Sequence, residues 1–122
     1  MYRVSVTDSF SSAHQLKGYQ GKCEEIHGHN WKVEVEVEGS ELDEIGLLID
    51  FGELKKILKE VMQELDHRML NDLPAFREIN PSSEHIARYI YHRIREALPK
   101  SISIHTTAVW ESENSRAIYS EE

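Results

Sequence analysis

Cysteine is nearly absent from this 122-residue sequence, in which Cys23 is the only one. A lone thiol cannot form a disulfide within its own chain, so the sequence has no disulfide framework. The sequence also lacks an apolar run long enough to span a bilayer, and its first residues do not have the basic start and apolar stretch of a secretory signal. We therefore expect a cytoplasmic protein that is not inserted in a membrane.

Basic residues are also scarce. Lysine and arginine total 14 against 22 acidic residues, which gives a formal net charge of −8. Such a chain should repel a phosphate backbone overall, which argues against nucleic-acid binding, whereas a small anionic substrate needs only a few local cations. The length and the 39% content of hydrophobic residues suit one globular domain that spans residues 1–122.

The hydrophobic pattern predicts two strands, two helices and two further strands, in that order. Apolar residues alternate with polar ones in the strands and recur every three or four residues in the helices. The predicted strands are residues 2–13, 29–38, 102–111 and 115–120, and the predicted helices extend from the Asp50 cap to Leu65 and between Pro81 and Pro99. This order indicates an α+β domain. The edges of its open sheet favour oligomerisation.

Three histidines form a candidate metal site. His27 and His29 flank Gly28 at the entrance to the second strand, and side chains two residues apart in a strand point to the same face. His14 lies near the end of the first strand, which could pair with the second. Three imidazoles and an open fourth position are typical of a catalytic zinc site. The alternative is a turn that carries two surface imidazoles.

Four further residues are candidates for catalysis or binding. Cys23 could act as a general base beside a metal, or it could be a small buried hydrophobic residue. Asp66 and His67 could form a proton relay, or they could simply provide a polar end to the first helix. Glu111 could accept two parallel hydrogen bonds from a heterocycle, or it could be an exposed acid at the end of a strand.

Together these segments resemble the family of 6-pyruvoyltetrahydropterin and 6-carboxytetrahydropterin synthases. The matching segments, in chain order, are Phe10–Leu16, Cys23-x-x-x-His27-Gly28-His29, Leu65-Asp66-His67-x-x-Leu70-Asn71, Pro81-Ser82-Ser83-Glu84 and Glu111. The sequence departs from the family at Gln15, where a basic residue is common, and at Ser82, which replaces a threonine. The resemblance covers nearly the whole chain.

The resemblance implies the tunnelling fold, in which three ββααββ subunits close a twelve-stranded antiparallel barrel and two trimers form a hexamer. Active sites would then lie between subunits. It also implies roles for individual residues: Zn²⁺ held by His14, His27 and His29; Cys23 as base; Asp66 and His67 as a proton-transfer pair; Glu111 as the pterin anchor; and Glu84 as a positioning group. Lys17, Lys22 and Arg68 are candidate cations for the triphosphate.

The implied substrate is 7,8-dihydroneopterin triphosphate, and three products are compatible with the motifs. We rank 6-carboxytetrahydropterin first, released with acetaldehyde and triphosphate on the route to queuosine. The pyruvoyl product of biopterin synthesis is the second. The third is 6-hydroxymethyldihydropterin for folate synthesis, a product of relatives that carry Cys-Glu-x-x-His-Gly-His. Glu24 would then act as an additional or substitute base; the alternative is that Glu24 is one more solvated acid. A non-catalytic metal- or pterin-binding module would keep the three histidines and Glu111 but would have no use for Cys23.

Overall fold

The computed structural model describes residues 1–19 and 24–121. Four strands form one antiparallel sheet in the order β1-β2-β3-β4, and both helices lie between β2 and β3 in the sequence. The elements are β1 (Tyr2–His14), β2 (His27–Gly39), α1 (Phe51–Leu65), α2 (Ser83–Ala97), β3 (Ser103–Ser112) and β4 (Ser115–Tyr119). This confirms the predicted ββααββ order.

The core lies between the two helices and one face of the sheet. On β2, Trp31, Val33, Val35 and Val37 are completely buried, whereas the polar residues between them are not. Burying one such apolar side chain stabilises a fold by about 1.5–3 kcal/mol. The helices contribute the residues opposite: Leu54, Leu58, Val61, Met62 and Leu65 from α1, and Ile86, Ala87, Ile90, Tyr91 and Ile94 from α2.

Side-chain caps fix where both helices begin. The Asp50 carboxylate accepts a hydrogen bond from the Gly52 backbone N–H at 2.7 Å, and the Ser82 hydroxyl accepts one from the His85 backbone N–H at 3.1 Å. Each cap satisfies an amide that has no partner within its helix. Neither helix, nor any other helix in the described ranges, is long and apolar enough to cross a membrane.

The register of the first hairpin places three histidines at one end of the sheet. Antiparallel pairing sets His14 opposite His27 and Ser12 opposite His29, so the three imidazoles lie on the same face. On its other edge, this end of β1 is bonded to the segment that follows α1. There the Ser11 carbonyl accepts from the His67 N–H at 2.6 Å, and the Ala13 N–H donates to the Arg68 carbonyl at 3.0 Å.

Candidate metal and substrate site

The three histidines converge above the indole of Trp31. The ring centroids of His14 and His29 lie 4.8 Å and 5.3 Å from that of Trp31, both edge-on. His27 completes the group, with its centroid 4.5 Å from that of His14 and 4.6 Å from that of His29. The indole N–H of Trp31 donates a 3.2 Å hydrogen bond to the Ser12 carbonyl, which fixes the ring. A rigid, buried floor therefore holds the imidazoles together.

Backbone carbonyls determine the tautomers of two of these rings. His14 Nδ1 donates to the Pro81 carbonyl at 2.8 Å, and His27 Nδ1 donates to the Glu25 carbonyl at 2.9 Å. A carbonyl can only accept, so in each neutral ring Nε2 carries the free lone pair. These two Nε2 atoms face each other at 2.9 Å. Two lone pairs at that distance repel unless a cation lies between them. Metal-bound histidines also commonly donate their other ring N–H to a backbone carbonyl, as His14 and His27 do here.

His29 supplies a third nitrogen without a directed partner. Its Nε2 is buried and makes no hydrogen bond within residues 1–19 and 24–121, although a carboxylate oxygen of Glu111 lies 3.0 Å away. The contact does not have the angles of a hydrogen bond, so the two atoms are close without being bonded to each other. Burial lowers the pKa of His29, as do the neighbouring imidazoles, whereas the Glu111 carboxylate opposes the shift. A neutral ring with an available lone pair is the form that binds metal.

The Glu111 carboxylate lies close to all three nitrogens. Its Oε1 lies 3.9 Å from His14 Nε2 and 3.8 Å from His27 Nε2, and its Oε2 accepts a 3.4 Å hydrogen bond from the Ser83 hydroxyl. The four side chains bring one ligand atom each within 4.8 Å of one another. This set fits a divalent ion that accepts nitrogen and oxygen ligands. The pterin-anchoring role of Glu111 stays a prediction.

A cavity of about 530 Å³ adjoins this cluster. His29 and Glu111 line it, together with Glu84 from the first turn of α2 and Arg116 from β4. The structure thus brings the predicted positioning residue Glu84 beside Glu111. Arg116, which sequence reasoning missed, is the basic residue in this lining.

Glu24 lies at the rim of the histidine cluster. Its Oε1 accepts a 3.2 Å hydrogen bond from the Leu16 N–H and lies 3.8 Å from His27 Nε2. Its backbone is also bonded, since its N–H donates to the Leu16 carbonyl at 3.1 Å and its carbonyl accepts from the Gln15 side chain at 2.9 Å. Glu24 is therefore a fixed acid beside the site. The predicted base Cys23 and the candidate cation Lys22 lie outside the described residues.

Two asparagines hold the segment that follows His14. Asn71 accepts from the Gln15 N–H and donates to the Gln15 carbonyl, both at 2.8 Å. Asn80 pairs in the same way with the Lys17 backbone, at 2.8 and 2.9 Å. The two side-chain amides supply the backbone hydrogen bonds that a neighbouring strand would otherwise make. Asn71 is the last residue of the motif that begins at Leu65. Its pairing with Gln15 joins segments that are distant in the sequence, so this role was not predicted.

The predicted proton-transfer pair is formed, but it lies away from the cavity. Asp66 Oδ2 is 2.8 Å from His67 Nδ1, and Asp66 Oδ1 accepts from the Ser11 N–H at 2.8 Å. The Ser11 bond is the main cause of the lowered pKa of Asp66, and His67 adds to it. The His67 side chain is 83% exposed. Within one chain it belongs to the outer edge of β1, next to the exposed Arg68.

Comparison with known proteins identifies the family. The family model described as 6-pyruvoyl tetrahydropterin synthase matches residues 3–122. The chain belongs to the 6-pyruvoyl tetrahydropterin synthase family. It is 32% identical to the 6-carboxy-5,6,7,8-tetrahydropterin synthase of Haemophilus influenzae, over 99% of this chain and 100% of the relative. It is 40% identical to the dihydroneopterin monophosphate aldolase of Pyrococcus furiosus, over 89% of each chain.

Solved structures of the family share the fold. The 6-pyruvoyl tetrahydropterin synthase of Plasmodium falciparum superposes with a TM-score of 0.82 at 29% identity, over 98% of this chain and 97% of that one. This confirms the predicted tunnelling fold of the subunit. The chain is accordingly an enzyme, a lyase of the pterin-synthase type that converts a pterin substrate.

Proposed function

We propose that the chain converts 7,8-dihydroneopterin triphosphate to 6-carboxy-5,6,7,8-tetrahydropterin in a zinc-dependent reaction that releases acetaldehyde and triphosphate. The observation that carries the metal assignment is the pair of Nε2 lone pairs of His14 and His27, directed at each other 2.9 Å apart. Beside them lies the Nε2 of His29, which makes no hydrogen bond to the part of the chain that the structure describes. Zinc bound there would serve as a Lewis acid toward a substrate oxygen. The Haemophilus influenzae relative supports the choice of product.

The other residues would bind the substrate and move protons. Glu111, with its carboxylate oriented by Ser83, would accept hydrogen bonds from the pterin edge, and Glu84 would help position the ring. Cys23 would take a proton as thiolate. His67, with its tautomer fixed by Asp66, would transfer another.

We also infer a homo-oligomer, a trimer or a hexamer, with active sites between subunits. Beyond the end bonded to residues 66–69, β1 offers a long free edge, and β4 is the opposite edge of the sheet. Pairing of these edges between subunits would satisfy their backbone groups. It would also give the exposed His67 a neighbouring active site, away from the cavity of its own chain.

A second candidate function is cleavage of the dihydroneopterin side chain to 6-hydroxymethyl-7,8-dihydropterin. The position of Glu24 favours it, since a fixed carboxylate 3.8 Å from His27 Nε2 could serve as a base. The similarity to the Pyrococcus furiosus aldolase supports the same activity.

Product analysis separates these functions. Purified, zinc-loaded protein is incubated with dihydroneopterin triphosphate, and with the monophosphate, and the products are identified by mass. The carboxy product is expected to disappear in Cys23→Ala and to persist in Glu24→Gln, with Glu25→Gln as the matched control. A hydroxymethyl product that depends on Glu24 would replace the first proposal with the second. Absence of any product would overturn both proposals.

A further inference from the structure

A row of three side chains crosses the sheet on the face away from the helices. Trp110 on β3 is the register partner of Lys32 on β2 and of Arg116 on β4. The Lys32 ammonium lies 4.7 Å from the centroid of the Trp110 ring, and the Arg116 guanidinium carbon lies 5.1 Å from it. Both contacts are within the range of cation–π attraction. Two cations are thereby held against one indole.

Among residues 1–19 and 24–121, no carboxylate forms a salt bridge with Lys32 or Arg116, whereas Arg3, Arg93 and Arg95 each have an acidic partner. Two cations without a salt bridge are unexpected in a chain of net charge −8. An anion that contacts both side chains would supply the missing countercharge.

The row adjoins the candidate site. Arg116 lines the same cavity as His29 and Glu111, and Lys32 and Trp110 line a neighbouring cavity of about 520 Å³. Ser112 lines both cavities. Glu113 is the carboxylate in the second lining, and it pairs with neither cation. The positive charge therefore lies next to the candidate site, in two cavities that share Ser112.

We propose that Lys32 and Arg116 form the binding site for the phosphate groups of the substrate. The inference rests on the proposed function, because it places the pterin ring at Glu111 and the phosphates at Lys32 and Arg116. The ammonium and the guanidinium would donate charge-assisted hydrogen bonds to phosphate oxygens. Trp110 would keep both side chains extended toward the ligand.

The test compares two double variants that each remove two positive charges. Lys32→Gln/Arg116→Gln removes the row, and Lys59→Gln/Arg88→Gln removes exposed cations from the two helices as a matched control. Binding of inorganic triphosphate to metal-free protein is measured by calorimetry. Binding of neopterin and of neopterin triphosphate is then followed by pterin fluorescence. Thermal unfolding confirms that each variant is folded, and Arg116→Lys tests whether charge alone is sufficient.

We expect the row variant to bind inorganic triphosphate about tenfold more weakly than the wild type, with the control unchanged. Its affinity for neopterin should stay the same, while the advantage of the triphosphate ester over neopterin is lost. Equal affinities for inorganic triphosphate in the row variant and the wild type, or an equal loss in the control, would overturn the proposal. Failure of the wild type to bind neopterin would count against the proposed function alone, because inorganic triphosphate tests the cations separately.

Discussion

His67 combines a strained backbone with a proposed role in proton transfer, and substitution can separate the two. Its φ of 54° is in the left-handed region, which is held by the bond from its N–H to the Ser11 carbonyl. A Cβ in that region costs about 1–2 kcal/mol, a cost that glycine does not have. Glycine also has more freedom in the unfolded chain, which offsets about 0.4–1 kcal/mol. We therefore expect His67→Gly to be more stable than His67→Ala by about 0.5–1 kcal/mol.

Both substitutions remove the imidazole, so both should slow turnover to a similar extent. General acid–base catalysis by one side chain contributes about 10²–10⁴-fold, and we expect a loss of that order in both variants. Turnover of dihydroneopterin triphosphate and thermal unfolding are measured at the same protein concentration. Turnover close to that of the wild type in either variant would remove His67 from the mechanism. A more stable alanine variant would refute the strain argument.

Two other predictions concern the hydrogen bonds around the fold. Asn71→Ala should lower the free energy of unfolding by about 1–3 kcal/mol, because it leaves the Gln15 N–H and carbonyl without their partner. Asn71→Asp keeps only the acceptor, so its thermal unfolding should fall between that of the alanine variant and that of the wild type. The hydrogen bond from Arg93 lowers the pKa of Glu64 in the folded protein. The pair should therefore stabilise the fold at pH values above the unfolded-state pKa of a glutamate. This stabilisation should be lost as the pH falls through the lower, folded-state pKa. Glu64→Gln should therefore be less stable than the wild type at about pH 7, by less than about 1 kcal/mol for this partly exposed pair. The difference should shrink as the pH falls below the ordinary pKa range of a glutamate, and a difference that does not shrink would contradict this.

The order of the elements follows from local patterns in the sequence. The alternation from Trp31 to Val37 requires one buried face, and it predicted β2 to within two residues at either end. Caps at Asp50 and Ser82 similarly determined the starts of the helices. Such signals depend on neighbours within a few residues, and a single sequence displays them directly.

The site depends on contacts that local patterns do not contain. The convergence of His14 with His27 follows from the β1–β2 register, which could be anticipated only if the two strands paired. The approach of Glu111 to His29 depends on the register between β2 and β3, which lie far apart in the sequence. The sequence therefore suggested a strand-end acid or a pterin anchor rather than a neighbour of the imidazoles. The left-handed backbone of His67 likewise arises from its bond to a distant strand.

The central claim is that three imidazoles bind one divalent ion, and metal analysis of the purified protein tests it most directly. After dialysis against zinc and removal of free metal, the wild type and the control His105→Ala should each retain about one zinc ion per chain. The triple substitution of His14, His27 and His29 by alanine should retain none while still folding. A wild-type chain that takes up no zinc, or a triple variant that retains as much as the control, would contradict the account.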